Sequence, residues 1–335
     1  MTRLCLWFDG KQNVSLGEEP QKEPGPGEVL VRSLVSAISA GTEMLFYHGA
    51  VEEGSDVDGT INGYTQGVSW PLRYGYSTVG VVERAGAGVP GEARGRLVFG
   101  FVPHASSFTA PLTDLLEVPR GIEVEDAALF ASAETAVNLV MDTAPLIGER
   151  VSVFGQGTIG LFTTALLARF PLASLTAWDL HPARREAAAA LGASAADPLS
   201  TEPGADTEDA AVELSGTAEG YAMSVRSCGF AGRVILGSWY GAAARGRAME
   251  AFGTSFHRKR LRIISSQVST IAPGLSGRWT RERRRAAAGD AVRLVGPSRW
   301  ITQRIPFSRA PEAYRLVAEE PGRTIQVVMT HPAPE

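Results

Sequence analysis

The residues with the clearest chemical signature are Gly155, Gln156, Gly157, Thr158, Ile159 and Gly160, placed after the apolar stretch Val151-Ser-Val-Phe. A short strand feeding a glycine turn that opens a helix suits a pyrophosphate. The first glycine permits the tight turn, the second keeps side chains away from the phosphate, and the third brings helix and sheet close. Amides at the helix start, with the positive end of its dipole, favour the negative charge. The next strand, Leu175-Thr-Ala-Trp, ends at Asp179, about 20 residues on, where a carboxylate accepts hydrogen bonds from an adenosine ribose. Strand, turn, helix, strand and acid in one unit point to a dinucleotide. Asp179 would repel a 2′-phosphate and so favours NAD over NADP. His181, Arg184 and Arg185 pull the other way, since guanidinium groups accommodate phosphate, although Arg184 over the adenine explains them equally.

A second set of residues could move protons. Glu43, Tyr76, His104 and Glu134 each have an ordinary reading and a catalytic one, the catalytic one being what the family resemblance given below implies. Glu43 is a cleft acid or half of a structural salt bridge. Tyr76 donates to a substrate oxygen or fills space. His104 carries protons near neutral pH or makes a core hydrogen bond. Glu134 is a base raised by desolvation or a partner for backbone N–H groups. Ser215 and Gly216, and Ser238 with Trp239, fall after later strands at the carboxyl-end crevice, and are expected to complete the cofactor site. Ser265-Ser-Gln267 ends the following strand on that same side. The basic run Arg278 to Arg285 reads as a solvated helix face, or as a fork (Arg278 or Arg281) for an acidic substrate.

These residues need a framework, and 335 residues provide for two domains of ordinary size. Hydrophobic content of 44%, charged content of 20% and a net charge of −4 describe a soluble globular chain and argue against general nucleic-acid binding. Cys5 and Cys228 form neither a disulfide framework nor a thiolate metal site, which fits a reducing cytosol. No apolar run reaches a membrane span and no signal-peptide pattern opens the chain, so a cytoplasmic protein is expected. The first ~120 residues read as β-rich, with a long polar loop from Gly49 to Ser69. A helix from Ala127 to Asp142 leads to the glycine turn, and strands then alternate with helices as far as Leu261-Arg-Ile-Ile. An arginine-rich helix, a strand at Ile301, a helix from Ala310 to Glu319 and a strand from Thr324 to Met329 follow.

This order of parts resembles the medium-chain dehydrogenase/reductase superfamily along essentially the whole chain. Tyr74-Gly-Tyr-Ser-Thr-Val-Gly-Val-Val-Glu-Arg stands where members have a glycine-histidine-glutamate segment. Pro306-Phe-Ser-Arg-Ala-Pro-Glu-Ala-Tyr and Gly322-Arg-Thr-Ile-Gln-Val-Val-Met resemble the closing helix and strand. Ser36-Ala-Ile-Ser-Ala-Gly-Thr-Glu-Met-Leu is similar to the bacteriochlorophyllide dehydrogenase branch. The resemblance implies an α/β fold: a Rossmann doubly wound parallel sheet inserted in a GroES-like β-rich catalytic domain. It places that domain at 1–128 and 270–335 and the nucleotide-binding domain at 129–269. It also implies a homodimer acting on a small molecule.

Members that use zinc hold it with cysteine, histidine and a third cysteine or acid. The matching positions here carry Ser39, Tyr76 with Ser77, and Ala131 or Ser132, and the four-cysteine lobe is missing. Neutral hydroxyls replace thiolate and imidazole poorly, so no zinc is expected. His48 or His104 with Glu43 or Glu134 is the remaining, less favoured donor set. Three functions fit: a zinc-free NAD(H)-dependent enzyme interconverting a secondary alcohol and a ketone, an NADPH-dependent enone or quinone reductase, or a dinucleotide-binding protein without turnover.

Overall fold

The computed structural model describes residues 2–57, 67–240 and 249–332. In chain order the first elements are β1 (Thr2–Gly10), β2 (Asn13–Pro20), β3 (Glu28–Ala37), α1 (Glu43–Tyr47) and β4 (Thr78–Ala85). Then come β5 (Leu97–Gly100), β6 (Ser107–Pro111), β7 (Leu116–Glu117), α2 (Val124–Ala127) and α3 (Phe130–Thr143). The middle holds β8 (Arg150–Phe154), α4 (Thr158–Leu167), β9 (Ser174–Trp178), α5 (Pro182–Ala189), β10 (Ser194–Ala196) and β11 (Glu208–Glu213). It continues through α6 (Ala218–Ser227), β12 (Cys228–Leu236), α7 (Thr254–Lys259), β13 (Arg262–Ser265) and α8 (Arg281–Val295). β14 (Ile301–Pro306), α9 (Ala310–Glu319) and β15 (Gln326–Thr330) complete the chain.

Two compact units result, 1–131 with 296–335, and 132–295. The first boundary lies three residues from the expected one. The second moves from 270 to 296, because α8 packs on α4 of the second unit. The helix expected from Ala127 to Asp142 is two helices, α2 and α3. Residues 58–66 of the expected loop from Gly49 to Ser69, and Gly241, lie outside the described residues.

The first unit is built on a sheet in the order β14-β15-β3-β4-β5-β7, with β6 on β3 and a separate β1-β2 hairpin. Val29 and Val31 of β3 are buried with Val82, Val98 and Phe108, so the alternating pattern becomes one apolar face. A second cluster joins Leu6, Phe8, Phe46, Tyr74, Tyr314 and Met329, seating α9 through its inward residues Ala310, Ala313, Tyr314 and Val317.

The second unit is a six-stranded sheet in the order β10-β9-β8-β11-β12-β13, parallel throughout. The strand order reverses beside β8, which leaves a crevice between the carboxyl ends of β8 and β11. Apolar residues on both faces of these strands explain their continuous hydrophobic runs; Phe154 stacks on Trp178 at 6.0 Å between ring centroids. Among the described residues no helix is long and apolar enough to cross a membrane.

Candidate functional site

At the crevice of the second unit the glycine turn adopts the form its sequence requires. Gly155 has φ +93°, and a Cβ there would lie 2.7 Å from backbone atoms of Leu214 and Ser215. A Cβ on Gly160 would meet the Gly155 carbonyl oxygen at 2.0 Å, so only glycine lets α4 close on the turn. A Cβ on Gly157 would meet nothing within 4 Å. That open space at the start of α4, where no side chain caps the helix, fits a pyrophosphate.

Asp179 follows β9 and is buried. Its Oδ2 accepts from Gln156 N at 2.7 Å and its Oδ1 from His181 N at 2.8 Å, so the carboxylate fastens the turn to the start of α5. Each oxygen keeps a further lone pair for a ribose hydroxyl. Arg184 Nη1 lies 3.8 Å from Asp179 Oδ2, and burial pulls the guanidinium pKa down while the carboxylate opposes it. Arg185 is committed elsewhere. Its Nη1 donates to the carbonyls of Asp179 and Leu180 and pairs with Asp197. Gln156 contributes through its backbone only, because its side chain is buried between Val153 O and Thr164 Oγ1.

Across the crevice, Gly216 N donates to Ser238 Oγ at 3.0 Å, which brings two predicted residues together. Glu213, which sequence reading passed over, organises them. Fully buried, it accepts from Ser215 N at 2.7 Å, from Ser215 Oγ and from Tyr240 Oη. Burial, and then the Glu213 charge, push the Tyr240 phenol well above its usual range. Trp239 is 44% exposed beside this cluster.

The same unit holds Glu134, expected as a catalytic base or a partner for backbone N–H groups, and pairs it instead with guanidinium groups. Its Oε1 accepts from Arg284 Nη2 at 3.0 Å and lies 3.7 Å from Arg285 Nε. Guanidinium groups cannot take up a proton from it or release one to it. Arg284 departs from the expectation of a solvated basic run, since this arginine is only 1% exposed. The signal was present. Arg284 shares the buried stripe of α8 with Ala288, Ala291, Val292 and Val295, a spacing that faces a core. Arg281 and Arg283 do lie at the surface, on Ser269 O and over the Trp279 ring.

The first unit brings Glu43, His104 and Tyr76 near one another. Glu43 opens α1 and is fully buried, as is His104. Glu43 Oε1 accepts from Ser39 N at 2.8 Å, while Oε2 accepts from Tyr314 Oη and lies 3.2 Å from His104 Nε2. Room for the imidazole comes from Gly75 at φ +108°, where a Cβ would stand 2.3 Å from His104 Cδ2. The Nδ1 atom is buried and finds no partner among the described residues. Half-buried Tyr76 donates through Oη to Ser39 Oγ and stands 3.4 Å from Thr42 Oγ1. Ser77 Oγ is turned inward onto Ala128 O. Tyr314 was read only as part of a closing helix; nothing in its spacing pointed to Glu43, 271 residues away.

Comparison with known proteins agrees with this architecture. No family model matches the chain. It is 28% identical to 2-desacetyl-2-hydroxyethyl bacteriochlorophyllide A dehydrogenase of Rhodobacter capsulatus, over 96% of each chain. Its fold is similar to 2R,3R-butanediol dehydrogenase from Bacillus subtilis, with TM-score 0.76, 17% identity, and 99% and 100% of the two chains covered. It is also similar to a putative zinc-binding dehydrogenase from Sinorhizobium meliloti bound to NADP, with TM-score 0.74, 19% identity, and 98% and 99% covered. The likeness to these dehydrogenases is one of fold along nearly the whole chain. The positions expected to match a zinc site offer the hydroxyls of Ser39, Tyr76 and Ser77, and those hydroxyls bond to one another or to backbone. Among the described residues, no three histidine, cysteine or acidic side chains gather as metal donors.

Proposed function

We propose that this chain is an NAD(H)-dependent oxidoreductase of the bacteriochlorophyllide-dehydrogenase-like branch, interconverting a secondary alcohol and a ketone on a small or medium-sized metabolite without catalytic zinc. The observation that carries the reading is the glycine turn at the reversal point of the parallel sheet, with Asp179 buried beneath it. Gly155 to Gly160 would hold the pyrophosphate and Asp179 the ribose; Ser215, Gly216, Ser238 and Trp239 border the crevice. The carboxylate disfavours a 2′-phosphate, and Arg185 is already spent on backbone carbonyls. When bound, the nicotinamide supplies the hydride acceptor or donor.

The support for a zinc-free site is the donor set of Ser39, Tyr76 and Ser77, which offers zinc no thiolate or imidazole. In place of a metal, Tyr76 Oη would give its single proton to the substrate oxygen when a carbonyl is reduced, the Ser39 hydroxyl turning to donate to the phenolate that results. That phenolate is reprotonated from solvent, and in the reverse direction it is the form that takes the proton of the alcohol. Ser39 Oγ holds the phenol in position. Glu43 fixes Ser39 through its backbone amide, and His104 and Tyr314 are the exchangeable partners of that carboxylate. Glu134 takes no part as a base.

A panel of secondary alcohols with NAD, and ketones with NADH, tests this on protein dialysed against a chelator. Turnover with undiminished rate after dialysis is the expected result. Activity that disappears with the chelator and returns with zinc would overturn the metal-free reading. Binding of NADH without turnover on any substrate would favour a sensor.

A further inference from the structure

We infer that Arg284 is a positioning residue for the nicotinamide half of the cofactor, acting through the chain that leaves β13. The inference rests on the reading above that the crevice takes NAD(H). Arg284 sits on the buried stripe of α8 and spends its guanidinium on two different elements. Towards α3 it donates from Nε and Nη2 to Glu134 Oε1, at 3.3 and 3.0 Å, and from Nη1 to Asn138 Oδ1 at 2.8 Å. Towards the segment after β13 it donates from Nη1 to Thr270 O at 2.9 Å and from Nη2 to Val268 O. Five donated bonds thus clamp residues 268–270 onto α3.

A second tie lies one turn further along the helix. Asn138 Nδ2 donates to Ser266 Oγ and to Asp142 Oδ2, each at 3.0 Å, and Ser266 Oγ donates to Asp142 Oδ2 at 2.7 Å. Ser266 to Thr270 is therefore held along its length by side chains of α3 and α8. In a parallel doubly wound sheet the carboxyl ends of the strands border the ligand crevice, and β13 lies on the far side of β11 and β12 from the adenosine-binding Asp179 at β9. The clamped segment consequently borders the half of the crevice away from the adenosine. Buried guanidinium with every bond directed at backbone or at α3 explains why Arg284 itself need not touch the ligand.

ADP-ribose, which has the adenosine, diphosphate and both riboses but no nicotinamide, separates this role from general stability. Binding of NADH and of ADP-ribose is measured by calorimetry on Arg284→Met, with circular dichroism to verify folding. The expected result is an NADH dissociation constant raised about tenfold, with ADP-ribose within twofold, the size of one lost charged hydrogen bond. Arg284→Lys keeps the charge opposite Glu134 but not the fork, so an intermediate loss for NADH alone is expected. It replaces the methionine variant in the test should that variant fail to fold. Equal weakening of both ligands, or of neither, overturns the inference. Failure of the unsubstituted protein to bind either compound overturns instead the cofactor reading on which it rests.

Discussion

Glu134 and Glu43 are buried glutamates, one in each unit, and their partners differ in kind. Glu134 meets guanidinium groups, Arg284 at 3.0 Å and Arg285 at 3.7 Å. Glu43 meets a backbone amide, a phenol and an imidazole. Arginine keeps its charge in a protein, so Glu134 belongs to a fixed ion pair that ties α3 to α8. Imidazole and phenol do exchange protons, so the surroundings of Glu43 suit chemistry. Burial of a carboxylate is therefore a poor guide to catalysis until its partners are known.

The contrast is sharpest when one partner is removed. Arg284→Met takes both guanidinium hydrogen bonds from buried Glu134 and leaves it only the longer contact with Arg285, and should lower unfolding free energy by about 3 kcal/mol. Urea unfolding measures it, and a loss below about 1 kcal/mol would mean that the ion pair is not structural. On the other side, Tyr76→Phe removes one hydroxyl from a half-buried cluster. It should lower kcat about 100-fold with little change in unfolding midpoint, as loss of a general acid does. Unaltered kcat would assign the phenol to packing.

Acid should distinguish the units as well. His331, in the first unit, stacks on Phe307 and is bonded through Nε2 to Ser36 Oγ. Burial, and secondarily His104, bring its pKa down from 6.5 to about 3. The unfolded chain then binds the proton first. The contribution of neutral His331 is complete above pH 6.5 and is lost as pH falls towards 3, at roughly 1.4 kcal/mol per unit. Unfolding followed against pH should show that slope, and His331→Gln should flatten it. The smallest effect is expected for Glu43→Gln, which still accepts from Ser39 N. About 1–2 kcal/mol of stability and roughly tenfold in kcat should be lost, the scale of one charge-assisted hydrogen bond. A rate unchanged beside a stability loss of that size would make Glu43 a structural residue like Glu134.

The two sites were unequally legible in the sequence for a physical reason. The proposed pyrophosphate site uses backbone within one strand-turn-helix unit, so Gly155, Gly157, Gly160 and Asp179 announce it in local spacing. The parallel, doubly wound character of the sheet followed from the alternation of strands and helices, but its strand order did not. The cluster proposed to handle protons is assembled from residues 61 and 271 positions apart, and no local pattern reports such a meeting. Arg284 is an intermediate case. Its place among Ala288, Ala291, Val292 and Val295 marks a buried arginine, but the surrounding arginines made the helix read as solvated, and with it the boundary fell at 270 rather than 296.

Titration of tryptophan fluorescence with NADH and with NADPH tests the central claim most directly. The glycine turn over a buried Asp179 predicts saturable binding of both or of NADH alone, with NADH at least about tenfold tighter, since the carboxylate opposes a 2′-phosphate. Tighter NADPH binding, or no binding of either, would contradict it.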